Sequence, residues 1–139
     1  MQDTLTIRTA GPGLTDFTSE VAARLPPGES GLLTLFVRHT SCSILIQENA
    51  DPEVQTDLLA WLSRLVPPST DPSLSYLTHT YEGPDDMPGH IKAMLLPTSL
   101  QVPVRAGRMM LGQWQGLYLF EHRDRPHRRE IALHFAPDG

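Results

Sequence analysis

Cysteine is nearly missing from this chain: Cys42 is the single one among 139 residues. A lone thiol excludes an internal disulfide framework and fits a reducing compartment. Long apolar runs are missing as well. Leu32 to Val37 is only strand-sized, far short of a bilayer span, so no membrane partner is expected. The opening Met1-Gln2-Asp3-Thr4 has no basic stretch followed by an apolar one, so no signal peptide is expected and a cytoplasmic location is the default. The compact signatures of metal and nucleotide sites are lacking. Neither His-Glu-x-x-His nor Cys-x-x-Cys occurs, and no Lys-Ser/Thr follows Gly107 and Gly112 to make a P-loop. Repeats are absent. So is regular strand–helix–strand alternation, which argues against a Rossmann fold or a TIM barrel.

What is present suits one domain, spanning residues 4–136, with enough chain to bury a real core. Hydrophobic residues make up 40% and charged residues 19%, ordinary for a globular protein. The net charge of -5 argues against a general nucleic-acid binder. The charge is unevenly spread. Residues 1–90 hold four arginines and no lysine against twelve carboxylates, a net -8; residues 91–139 hold seven cations against four carboxylates, a net +3. If both parts meet at one cleft, it offers a metal one side and a phosphate the other. A merely solvated charged face is the plainer alternative.

Periodicity predicts an α+β fold, mainly antiparallel, with two or three helices. Strands are expected over Thr4–Thr9, Gly31–Arg38, Ser43–Gln47, Leu100–Val104, Met109–Leu111, Gln115–Glu121 and Arg129–Phe135. A short strand over Tyr76–Tyr81 and a hairpin turn at Ala106-Gly107-Arg108 complete the set. One helix runs from Thr15 or Asp16 to about Arg24. A second starts at Asp51-Pro52, carries an apolar stripe of Val54, Leu58, Trp61, Leu62 and Leu65, and stops at Pro67-Pro68. A third runs from about Gly89 to Leu96.

Ligand-type side chains concentrate in short blocks. His39-Thr40-Ser41 is one, Glu48-Asn49-Ala50-Asp51-Pro52 another, and residues 79–90, beginning and ending in His79 and His90, a third. Imidazoles beside carboxylates suit zinc or another first-row divalent metal. Separate hydrogen-bonded structural histidines are the alternative. Asp51 is explained as a helix cap; Glu48 and Asn49 are not. Asp85-Asp86 serves solubility, a helix cap or the site. The segment His122 to Arg129 reads as a solvated hairpin tip or as a phosphate grip. Cys42 beside a buried strand reads as a packing residue. Gly112-Gln113-Trp114-Gln115-Gly116 places two amides and an indole between glycines, a costly arrangement for a plain strand. Alternation predicts Gln115 facing the site and Trp114 packing into the core.

These blocks, with Asp85-Asp86-Met87-Pro88-Gly89-His90-Ile91-Lys92, the Gly107–Gly116 run, Glu121 and Arg128-Arg129, resemble the YjbQ family, also called the secondary thiamine-phosphate synthase family. The resemblance runs in order from about Thr4 to Phe135. It implies a β-rich sandwich-like fold, a homotrimer, a polar pocket holding His39, His79 and His90 with a divalent metal, zinc or magnesium, and a weak thiamine-phosphate synthase activity. That reaction joins a pyrimidine methyl pyrophosphate to a thiazole phosphate, so the expected partner is a phosphorylated small molecule. The metal is expected on His39, His79 and His90, or bridged through Glu48 and Asp86. Glu48, Asn49, Asp86, Gln115 and Glu121 are the expected catalytic groups. Lys92, Arg108 and Arg128 are the expected phosphate binders. A metal-assisted hydrolase and a non-catalytic trimeric binding module are the competing readings.

Overall fold

Side chains that alternate in and out of water build the larger of two sheets. The computed structural model describes all 139 residues. In chain order the elements are β1 (Gln2–Thr9), β2 (Gly13–Asp16), α1 (Thr18–Ala22), β3 (Gly31–Val37), β4 (Cys42–Glu48), α2 (Pro52–Leu65), α3 (Asp86–Leu95), β5 (Ser99–Arg105), β6 (Arg108–Met109), β7 (Gln115–Glu121) and β8 (His127–Pro137). Every strand pairing is antiparallel. A five-stranded sheet runs β1-β8-β3-β5-β6, and a three-stranded sheet runs β2-β7-β4.

On the five-stranded sheet Leu33, Leu35 and Val37 of β3 and Ile131, Leu133 and Phe135 of β8 point inward. They meet Cys42, Ile44, Leu117 and Leu119 of the smaller sheet in one core cluster of 17 residues. β7 is buried on both faces, which explains why its sequence does not alternate. Leu117 and Leu119 join the core. On its other face Gln55 of α2 hydrogen-bonds the Tyr118 hydroxyl at 3.0 Å, and Phe120 lines an apolar groove with Leu58, Leu62 and Leu96. Helices, small sheet and large sheet therefore stack as three layers. No helix is long and apolar enough to cross a membrane.

The sequence reading holds for most strands and for α2, whose Asp51 side chain accepts from the Glu53 amide as an N-cap with Pro52 following. Ala106 and Gly107 both take positive φ, 50° and 81°, as a two-residue turn of the I′ kind demands. Several expectations fail. Tyr76–Tyr81 forms no strand, because no neighbour offers it a ladder. β2 was hidden by the glycines and proline before it. Residues 16–24 give only the short α1, and the strand expected over Met109–Leu111 shrinks to the two-residue β6. α3 begins at Asp86, three residues before the expected start, which puts Asp86 in its first turn. The α2 stripe is only partly covered: Leu62 is buried, whereas Trp61 and Leu65 stand in solvent.

Gly31 shows how tightly β3 meets β8. A Cβ there would lie 2.2 Å from the Ala136 carbonyl oxygen and 2.8 Å from the Pro137 Cα. Both obstacles are backbone and cannot swing away. Gly31→Ala is expected to destabilise the fold by about 1–3 kcal/mol, the usual cost of overpacking. Urea denaturation checks this; an unchanged midpoint would mean that the β8 end yields freely.

Candidate metal centre

The site starts from a buried ion pair. Glu121, at the end of β7, is fully buried, and Arg129 of β8 is nearly so. Glu121 Oε1 accepts from Thr9 Oγ1 at 2.7 Å and from Arg129 Nε at 2.8 Å. Oε2 accepts from Arg129 Nη2 and from the backbone amides of His122 and Arg123 at 3.1 and 3.2 Å. Burial works to raise the carboxyl's pKa, but the bonds from Arg129 and Thr9 and the Arg129 charge hold it below its ordinary value. Every lone pair is engaged. Glu121, expected among the catalytic groups, has both oxygens occupied within the fold and faces no open site.

One arm of this pair fixes Arg123. Its amide is held by Glu121, and its guanidinium reaches back across the fold to the start of α3. Nε donates to Asp85 Oδ2 and Nη1 to Asp86 Oδ1, both at 2.8 Å, while Nη2 reaches the Glu82 carbonyl at 3.3 Å. Asp86 is thus gripped by one oxygen and presents the other, Oδ2, to two imidazoles. His79 Nε2 lies 2.8 Å from it and His90 Nε2 3.4 Å. Burial penalises this carboxylate. Hydrogen bonds with His79 and Glu82 and the charges of Arg123 and His90 outweigh that penalty, so its pKa is lowered.

The second arm fixes His90. Arg129 Nη2 donates to the Ser41 carbonyl and Oγ at 3.2 and 3.0 Å, pinning the segment after His39. The next carbonyl back, Thr40 O, takes a bond from His90 Nδ1 at 3.1 Å. A carbonyl only accepts, so Nδ1 carries a proton and Nε2 faces the Asp86 carboxylate; in the neutral form of His90 that atom presents a lone pair. Two acceptors facing each other need a cation between them, either a proton or a metal. The three ligand atoms of His79, Asp86 and His90 all lie within 4.8 Å of one another. Two imidazoles and one carboxylate, with Asp86 oriented by Arg123 and His90 by the Thr40 carbonyl, fit a divalent ion such as zinc.

His39 does not join them. Its Nε2 accepts the Glu130 amide at 2.8 Å, so its proton sits on Nδ1 and no lone pair is left for a metal. Burial first, then the Arg129 charge, lowers its pKa and keeps it neutral. Asp86, expected as a bridging alternative, is the group that stands with His79 and His90. Glu82, 3.1 Å from His79 Nε2, and Arg123 are the residues that sequence reasoning missed. Glu82 lay inside the 79–90 block; Arg123 was masked in a stretch that reads as a solvated turn.

The other expected groups lie elsewhere. Glu48 faces Gln115 across the β4–β7 ladder, and Glu48 Oε2 accepts the Asp51 amide at 3.2 Å. Asn49 Nδ2 bonds the Gln115 carbonyl at 3.3 Å, and Gln115 Oε1 accepts the Gly112 amide at 2.8 Å. This group sits at the opposite end of β7 from Glu121, about 20 Å away at a strand's rise per residue. Trp114 precedes the strand and is 58% exposed, so it is not the packing member. Gln115 secures the turn with its own side chain. Lys92 falls two residues after His90, on another face of α3, among Asp85, Asp124 and His122. Burial lowers its pKa against the pull of Asp124 and Asp85. Arg108 lies on β6 opposite Arg105, and Arg128 on β8 opposite Arg8. None of the three cations makes an ion pair with the cluster, whose cationic partner is Arg123. Burial pushes the Cys42 thiol up to about 12, so it is a packing residue and no nucleophile.

His122 is buried, with Nε2 2.9 Å from Ser43 Oγ and Nδ1 without a partner. Burial, with Lys92 nearby, brings its pKa down to about 3. The folded chain therefore binds no proton there, whereas the unfolded chain takes one up below its ordinary value of about 6.5. Stability is expected to fall on acidification across that window. The urea midpoint should drop as the pH falls from about 6.5 toward about 3, and less so in His122→Gln. Equal drops in both proteins would assign the effect to other groups.

Comparison with known proteins agrees with this architecture. The UPF0047 protein YjbQ-like family matches residues 3–138. The UPF0047 protein sll1880 of Synechocystis sp. is 47% identical over 137 residues, 97% of this chain and 90% of its own. The UPF0047 protein YjbQ of Escherichia coli is 42% identical over 125 residues, 88% of this chain and 87% of its own. Among solved structures, the conserved hypothetical protein TT1486 of Thermus thermophilus superposes with a TM-score of 0.84 at 35% identity, covering 96% of this chain and 99% of that one. The chain belongs to the YjbQ-like UPF0047 family.

Proposed function

We propose that this protein is a metal-dependent enzyme for a phosphorylated small molecule, and that thiamine-phosphate synthesis is the transfer reaction to test first. The observation that carries the proposal is the convergence of His79 Nε2 and His90 Nε2 on one oxygen of the buried Asp86 carboxylate. Zinc is the metal favoured over magnesium, because two of three ligands are imidazole nitrogens and magnesium prefers oxygen. When bound, such an ion supplies positive charge to a developing anion or leaving group. The chain's own residues do the rest. Arg123 keeps Asp86 ionised and aimed. Thr40 holds the His90 tautomer. Glu82, half exposed beside His79, is the carboxylate placed to hold a proton at its Oε2.

A metal-assisted hydrolase is the second reading, favoured by the lack of an ion pair between Lys92, Arg108 or Arg128 and the cluster. Hydrolysis asks for less cationic charge around the substrate than pyrophosphate displacement does. A synthase releases pyrophosphate only when both substrates are present, a hydrolase with one, and a binding module with neither.

The proposal includes a cytoplasmic homotrimer with no nucleic-acid or membrane partner. Its physical support is the division of polar groups between the two ends of β7. A head-to-tail ring brings the Glu48–Asn49–Gln115 end of one protomer toward the His79–Asp86–His90 end of the next. The exposed Trp114 and the open β4 edge lie at that first end. A stable monomer in light scattering would contradict this part.

Calorimetric titration with zinc tests the centre. One site per chain is expected, abolished by His79→Ala, His90→Ala and Asp86→Asn. Arg123→Ala is expected to weaken it by roughly 10–100-fold, as removal of a ligand's orienting partner does. His39→Ala should leave it intact. Loss of zinc in His39→Ala, with retention in Asp86→Asn, would restore the three-histidine arrangement and refute this one.

A further inference from the structure

The β1–β8 ladder sets Arg8 directly opposite Arg128. Both side chains are exposed and point away from the core, since Ile7 and Arg129, their inward neighbours, are buried. Like charges facing each other across a strand pair are destabilising. Neither guanidinium has a carboxylate partner. The acid nearest along that face of β8, Glu130, is already held by Arg38 at 2.9 Å. Glu121, 3.8 Å from His127 Nδ1, has both oxygens engaged by Arg129, Thr9 and backbone amides. Beside the pair lies a shallow, open depression of about 200 Å³ lined by Arg8, Thr9, Pro126, His127 and Arg128, with no acidic or apolar side chain other than the proline. In a chain of net charge -5, an unneutralised arginine pair over a depression without carboxylates has no structural counterweight.

We infer that Arg8 and Arg128 form a binding site for a small phosphoryl anion, a phosphate ester or pyrophosphate. The planar forks of two guanidiniums on neighbouring strands match the several oxygens of such a group, and a bound dianion relieves their mutual repulsion. The His127 Nδ1 bond to the Arg125 carbonyl, at 2.7 Å, steadies the turn that forms one wall. This site is separate from the His79–Asp86–His90 cluster and needs no metal.

The test uses the whole protein in EDTA with inorganic pyrophosphate as the probe, so failure of the metal centre cannot affect the outcome. Amide resonances of Arg8, Thr9, His127 and Arg128 are expected to shift saturably, and the Tm to rise. Arg8→Gln should weaken binding about tenfold, and added salt should weaken it further. Arg128→Glu should abolish binding while keeping or raising the ligand-free Tm, since it places opposite charges across the ladder. That variant separates lost binding from lost folding. No shift at these four residues, or unchanged affinity in folded Arg128→Glu, would overturn the site.

Discussion

The buried pair of Arg129 and Glu121 is the contact on which the candidate centre depends. It ties β8 of the large sheet to β7 of the small one. From Glu121 the line runs through the Arg123 amide to the Arg123 guanidinium, and so to Asp86. From Arg129 it runs through Ser41 to the Thr40 carbonyl, and so to His90. Two candidate ligands from one helix, Asp86 and His90, are thereby oriented from two different loops, the β7–β8 turn and the β3–β4 connection. A buried ion pair is weak evidence for stability, because desolvation offsets much of its attraction. Here its geometry has a second consequence: it fixes a corner from which a half-buried arginine can reach three partners on another element.

The layering explains why the site forms where it does. β7 lies between the large sheet and the helices, so its middle is filled by apolar side chains and by Tyr118, whose hydroxyl is taken up by Gln55. Its other polar side chains stand at its ends, Gln115 at one and Glu121 at the other. The start of α3 packs against the Glu121 end: a Cβ at Gly89 would lie in ordinary contact with Ser41 and His122, at 3.6–3.7 Å.

Much of this was legible in the chain. Alternating strands, the Asp51-Pro52 helix start and the Ala106-Gly107 turn follow from local rules, and local geometry obeys them. The 79–90 block announced itself through its density of imidazoles and carboxylates. Its third member was misread because His39 spends its nitrogen on the Glu130 amide, a partner 91 positions away. No spacing rule reports such a bond. Arg123 was hidden for a related reason: its neighbours are charged and turn-forming, and only the fold reveals that it points inward. Trp114 and Gln115 were assigned faces by strand alternation, which fails because Trp114 stands just outside the strand.

The most direct test of the centre is an anomalous-scattering map at the zinc edge from crystals of the protein grown with zinc. The geometry predicts one strong peak about 2.0–2.2 Å from the Nε2 atoms of His79 and His90 and from Asp86 Oδ2, at ordinary zinc–ligand distances. A zinc peak on His39, or crystals with zinc bound only at unrelated surface positions, would contradict it.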